Sequence, residues 1–217
     1  MRLYLSSFRL GNEPGKLVDL LDGRSHTAVI ANADDYKTGE DRVASFEREA
    51  GDLRGVGLEP IEVDLREYFG KPSKLRARLS GFDLLWVRGG NVFVLRRAFR
   101  QSGAETVLRD LLAEDVVVYG GYSAGVCVLT PSLRGSELVD DPNVVPEGYE
   151  TPIIWDCLGI LPYAVLPHYK SDHPESPAID KTLEYLIDNH VPFVALHDGE
   201  AIVRAGEREV VVGSAGS

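Results

Sequence analysis

Cysteine is nearly absent: Cys127 and Cys157 are the only two in 217 residues. Two thiols exclude a disulfide framework, and their spacing lacks the paired pattern of a zinc site, so both are expected as buried thiols in a reducing compartment. Long apolar runs are missing too. Met1–Arg9 carries no stretch long enough for a signal peptide and no segment approaches a membrane span, which makes a cytoplasmic protein without a membrane partner the expectation. Positive charge is scarce: 23 Lys and Arg face 34 Asp and Glu, and the formal charge of −11 argues against nucleic acid or anionic lipid as a partner. Internal repeats and low-complexity tracts are absent as well. What remains is a chain 44% hydrophobic, enough for one sizeable core at a length that one α/β domain commonly occupies, so 1–217 is expected to be a single domain.

Apolar runs of strand length alternate with amphipathic segments. Leu3 to Ser6, Thr27 to Ala31, Phe82 to Val87, the run beginning at Val116, Tyr163 to Leu166 and Phe193 to Leu196 read as strands, several of them continuously apolar as in a parallel sheet covered on both faces. Between them lie helical patterns carrying Leu17, Leu20 and Leu21; Val43, Phe46, Ala50 and Leu53 with Glu49 among the polar positions; Lys74 to Leu79; Val94, Leu95, Ala98 and Phe99; Glu105 to Leu112; and Pro177 to Asn189 with Ile179, Leu183, Leu186 and Ile187 inward. Ile61 to Val63 is short and charged, the pattern of an edge strand. Ala201 to Arg204 and Glu209 to Val212 read as a closing hairpin. Leu129 to Gly159 has no periodicity, and a long irregular segment in a compact domain is usually a lid or a pocket wall.

The chemistry concentrates at strand ends. Gly121-Tyr122-Ser123-Ala124-Gly125 follows a β-branched run and leads into helical character, the pattern of a nucleophile elbow, which makes Ser123 the candidate nucleophile. The turn also sets the Ala124 N–H at a helix start, where it can stabilise an oxyanion. The bland alternative is a glycine-rich turn whose serine caps the helix. Arg88-Gly89-Gly90-Asn91 ends another strand, and its glycine pair is either a plain turn or a place where an amide, that of Gly90, joins Ala124 in an oxyanion hole. Of five histidines, His168 is the best base, since it follows a short apolar strand. Asp198 is the preferred orienting acid, with Glu200, Asp172 and the acids of 137–156 open as alternatives. The order Ser, His, Asp differs from the Ser, acid, His of α/β-hydrolases but is compatible with the same roles.

Taken together, Val87-Arg88-Gly89-Gly90-Asn91-Val92-Phe93-x-Leu95, Gly120-Gly121-Tyr122-Ser123-Ala124-Gly125, Leu166-Pro167-His168-Tyr169 and Asp198-Gly199-Glu200 resemble the peptidase E family of serine peptidases, which includes aspartyl dipeptidases and cyanophycinases. The resemblance implies a three-layer α/β/α fold with a mostly parallel sheet, like class I glutamine amidotransferases. It also implies no cofactor and no metal, a triad of Ser123, His168 and Asp198, and oxyanion amides at Gly90 and Ala124. The family's dipeptidases carry Glu where Asp198 stands, and their histidine loop differs from residues 169–176. An amidotransferase would carry cysteine in place of Ser123. Other serine hydrolases, esterases among them, cyanophycinase-like activity and a non-catalytic binding protein remain alternatives. If the resemblance extends to substrate, the partner is a small peptide with N-terminal Asp, the enzyme being a monomer or homodimer. A cation must then lie near Ser123: Arg88 or Arg134, with Lys170 third, while Asn91 and Tyr169 in the motif loops complete the expected substrate-binding set.

Overall fold

Hydrophobic patterning of the strands dictates the layers in the computed structural model, which describes residues 1–214. Five strands run parallel: β1 (Arg2–Ser6), β2 (His26–Ile30), β3 (Glu59–Glu62), β4 (Leu84–Val87) and β5 (Val118–Tyr122). Their helical crossovers are α1 (Pro14–Leu21), α2 (Gly39–Gly55), α3 (Pro72–Leu79), α4 (Val92–Ser102) and α5 (Ala104–Ala113), and a short α6 (Ala124–Cys127) leaves β5. Alternate residues of each strand enter opposite layers. Leu3, Leu5, Ala28, Ile30, Leu85, Val87 and Tyr119 pack with α3, α4 and α5, whereas Tyr4, Val29, Leu84, Trp86 and Val118 pack with α1 and α2. This is the period-two signature of a sheet buried on both faces, and the result is the expected three-layer α/β/α arrangement.

The remaining strands are β6 (Ala164–Leu166), β7 (Phe193–Ala195), β8 (Ala201–Ala205) and β9 (Arg208–Val212), with α7 (Ser176–Asp188) between β6 and β7. The main sheet has the order β3-β2-β4-β5-β1-β8-β9, the last two as an antiparallel hairpin, and β3 lies at its edge as its short charged sequence implies. β6 and β7 do not join this sheet. They pair with each other in parallel, Leu166 opposite Ala195, and pack under α7. Individual side chains also differ from the pattern. Val43 on α2 and Ile187 on α7 are exposed, while Glu49, on the expected polar face of α2, is buried and accepts hydrogen bonds from Trp86 Nε1 (2.6 Å) and Tyr122 OH (2.9 Å).

The irregular segment after α6 is pinned. Arg97, fully buried on α4, donates to the carbonyls of Pro142 (2.8 Å), Val144 (3.2 Å) and Thr151 (3.3 Å), and its neighbour Arg96 donates to Asp156 O (2.7 Å). Tyr149 OH reaches Asp35, and Asn91 Nδ2 donates to Asp141 O (3.0 Å). A loop without a ladder must find partners for its carbonyls, and here buried guanidiniums supply them. The segment is a wall.

Candidate active site

Ser123 joins β5 to α6 with φ 50° and ψ −117°, backbone angles that a residue with a side chain adopts only under constraint. The constraint comes from close packing of the turn on β4. A Cβ at Gly121 would stand 2.5 Å from Val87 O, so glycine is required there, and Tyr119 OH fixes the other side by donating to Gly125 O (2.5 Å). Ser123 makes no side-chain cap to the helix, which removes the bland reading of this serine. Its carbonyl accepts from Val126 N (2.8 Å) and Cys127 N (3.0 Å), and the N–H of Ala124, as the first helical residue, has no intrahelical acceptor.

His168 is buried with φ 61°, two residues beyond the end of β6, and Asp198 lies three beyond the end of β7. Parallel pairing of those strands brings the two together: Nδ1 of His168 is 2.8 Å from Asp198 Oδ1. Ser7, buried just after β1, holds this pair. Its Oγ donates to Asp198 Oδ1 (2.8 Å) and accepts from His168 N (2.8 Å), while Ser171 Oγ accepts from Asp198 N (2.7 Å). Burial depresses the His168 pKa, partly offset by Asp198, which favours the neutral imidazole. The other acids considered in the sequence are engaged elsewhere or lie apart. Glu200 accepts from His197 N and Ser214 Oγ, Asp172 is exposed, and no acid of 137–156 contacts the imidazole among the described residues.

Two pockets flank Ser123. One is lined by Ser123, His168, Gly89, Gly90, Arg88, Asp34, Lys37, His173 and Glu175 among others. The second runs from Ser123 and Ala124 toward Asp140 and α7. Gly90 has φ 139°, and a Cβ on it would stand 2.7 Å from Ala33 O, so this strand-end turn can only be built with glycine. Ser123 and His168 share the first pocket, without a hydrogen bond between them among the described residues.

Most of the expected substrate-binding residues are occupied otherwise. Arg88 lines the first pocket, but its guanidinium is paired with Asp34 and lies 3.4 Å from Glu49, both buried. Arg134 is exposed and stacked 3.8 Å over the Trp155 ring, outside both pockets, because the chain turns outward one residue after the buried Leu133. Asn91 is the N-cap of α4, accepting from Phe93 N and Val94 N (3.0 Å each). Tyr169 packs in the β6–β7 cluster with its ring 5.5 Å from His197, and Lys170 lies over the Tyr169 ring at 5.2 Å. Cys127 lines the second pocket as a thiol whose burial raises its pKa, and burial pushes Cys157 up to about 12.

Several residues at the site carry no motif. His173 stacks on His168 with centroids 3.7 Å apart, Phe8 meets both rings edge-on, and Glu175 Oε2 is 3.9 Å from His168 Nε2. Ser7 and Phe8 follow a strand that ends on the same sheet edge as β5, which is the signal that could have found them. His168, His173 and Glu175 are also the group of metal-ligating side chains that converges among the described residues, with donor atoms within 4.8 Å of one another.

The model of peptidase family S51 matches residues 36–212. Streptomyces coelicolor peptidase E is 33% identical over 190 residues, covering 82% of this chain and 67% of that protein. A Drosophila melanogaster protein named as a probable alpha-aspartyl dipeptidase is 26% identical over 161 residues, covering 72% and 63%. The matches to curated relatives span 54–67% of those relatives' lengths. Among solved structures, a Listeria monocytogenes EGD-e protein described as a peptidase E superposes with a TM-score of 0.78 at 20% identity, over 99% of this chain and 98% of that one. A peptidase from an acI-B1 actinobacterium gives 0.64 at 18% identity, over 99% and 88%, and both likenesses are of fold. With a family model covering most of its length and a relative one third identical, the chain belongs to peptidase family S51.

Proposed function

We propose that this chain is a serine peptidase that cleaves short peptides through an acyl-enzyme, with Ser123 as nucleophile, His168 as base and Asp198 as orienting acid. The observation that carries the reading is the buried His168 bonded to Asp198, sharing a pocket with a serine on a strained strand-to-helix turn. Ser123 Oγ attacks the scissile carbonyl carbon as His168 Nε2 accepts its proton, and Asp198 stabilises the resulting imidazolium through Nδ1–H. The oxyanion is held by the N–H groups of Gly90 and Ala124, whose loops end neighbouring parallel strands. Collapse of the tetrahedral intermediate passes the proton from His168 to the leaving amine, and water then hydrolyses the ester by the same steps.

Ser123→Ala should lower turnover of a cleaved peptide by roughly 10⁴- to 10⁶-fold and abolish labelling by a fluorophosphonate, read by kinetics and intact mass. More than a tenth of wild-type activity in that variant would overturn the mechanism. A relative's name points to an N-terminal aspartyl substrate. In this chain the cations expected to recognise that side chain are paired or turned away, so dipeptide hydrolysis is proposed without it.

A further inference from the structure

The pocket lined by Ser123, Ala124, Asp140 and residues of α7 lies beside the nucleophile, where the side chain of the acyl residue would enter. This placement rests on the serine-peptidase reading above. Its walls are apolar, from Val92, Val139, Val165, Leu166 and Ile179. The hydroxyl of Thr182 is engaged with the carbonyls of Gly135 (3.1 Å) and Ala178 (3.3 Å). The charged residues lining the pocket are Asp140 and Glu175, and no Lys or Arg among the described residues joins them.

Asp140 is fixed in place by one oxygen, Oδ2, which accepts the N–H of Val92 (2.8 Å) at the start of α4. Neither Asp140 nor Glu175 has a Lys or Arg partner among the described residues; Glu175 approaches only His168 (3.9 Å) and His173 (4.0 Å). The fully buried acids of this sheet edge are treated differently. Asp34 holds Lys37 and Arg88, Asp35 holds Arg42, and Glu49 has Arg88 at 3.4 Å. The Val92 N–H and the positive end of α4 offset only part of the cost of desolvating this carboxylate, and a cation brought in by a ligand relieves the remainder.

We propose that Asp140 is a specificity-determining residue that makes this pocket select a substrate side chain ending in a cation, lysine- or arginine-like, over an acidic one. Glu175, at the pocket's other side, adds to the field. Burial holds the Asp140 pKa up at about 7, so the group exchanges its proton in the range where a bound ammonium would draw it into the charged form. The titratable groups facing it are Glu175, Cys127 and Tyr36, of which none is cationic. The chain's charge of −11 assists by steering cations toward it.

The test is kcat/KM for Lys-Leu, norleucyl-Leu and Asp-Leu with wild type, Asp140→Asn and Asp140→Glu, across pH 6 to 8.5. Norleucine keeps the length and apolar stem of lysine without its charge. Wild type should prefer Lys-Leu over norleucyl-Leu by about ten- to a thousandfold, with Asp-Leu slowest. The preference should grow through pH 7, collapse toward unity in Asp140→Asn, which keeps an acceptor for Val92 N–H, and persist in part in Asp140→Glu. Equal wild-type rates on the lysyl and norleucyl substrates, or faster cleavage of Asp-Leu, would overturn the inference, as would an unchanged ratio in Asp140→Asn. Cleavage of norleucyl-Leu with fluorophosphonate labelling of Ser123, but no lysyl preference, removes this inference alone. No cleavage and no labelling removes the peptidase reading with it.

Discussion

At the residue scale, the site depends on a few groups whose ionisation burial has moved. His168 sits below the ordinary histidine range because burial penalises its cation, so it remains a free base to lower pH than an exposed histidine does. The acid limb of kcat/KM on a neutral dipeptide should therefore fall with an apparent pKa below 6.5, measured under fixed ionic strength. Asp198→Asn should cost about 10³- to 10⁴-fold in kcat, since the amide no longer favours the Nδ1–H tautomer. Asp140 moves the other way. The unfolded chain releases this proton near its ordinary value of 3.8 and the folded chain only near 7. Rising pH across that window therefore favours unfolding, and the loss is complete above pH 7. Asp140→Asn should raise stability at pH 8 by about 1–3 kcal/mol and leave it nearly unchanged at pH 4, read by urea denaturation. A wild-type stability that rises from pH 4 to 8 by more than that of the variant would contradict the assignment.

At the element scale, α4 does more than cover the sheet. Its apolar residues fill one core while Arg96 and Arg97 face the irregular segment and satisfy its carbonyls. The amphipathic pattern of this helix is legible in sequence, but the destination of its arginines is not, because their acceptors lie 45 to 60 residues away. Arg97→Leu should leave three carbonyls without donors and destabilise the protein by about 2–4 kcal/mol. Hydrogen exchange should quicken across residues 139–151, and with it the pocket wall that carries Val139 and Asp140 should loosen. Unchanged protection there would show that the wall is held by packing alone. The β6–β7 pair is the other element that periodicity does not place: two three-residue strands look like members of the main sheet until their pairing is seen.

At the scale of the whole molecule, the negative charge is organised rather than spread. Along the sheet edge acids and arginines neutralise one another, whereas Asp140 and Glu175, in the pocket that runs from Ser123 toward α7, have no Lys or Arg partner among the described residues. Association of a cationic dipeptide should therefore slow as ionic strength rises from 0.02 to 0.5 M, whereas a neutral dipeptide should be indifferent, measured as kcat/KM at substrate well below saturation. A slope of the opposite sign would place a net positive field at the pocket mouth.

What the sequence by itself determined is local. Strand and helix alternation follows from the period of apolar residues, and the elbow at Ser123 follows from the Gly121-x-Ser123-x-Gly125 pattern after an apolar run. His168 and Asp198 are also recoverable, since each follows an apolar strand by two or three residues. The tertiary structure decided which charges are free. Arg88 is 54 residues from Asp34, and Arg134 lies on Trp155, so neither side chain's state is written in its neighbours. Ser7 reaches His168 across 161 positions, and the pocket formed by Val92, Asp140, Val165 and Thr182 assembles from four separate segments. Backbone conformation depends on interactions within a few residues, whereas the electrostatics of a site depend on every charge the fold brings within a few ångströms, and no local pattern encodes that set.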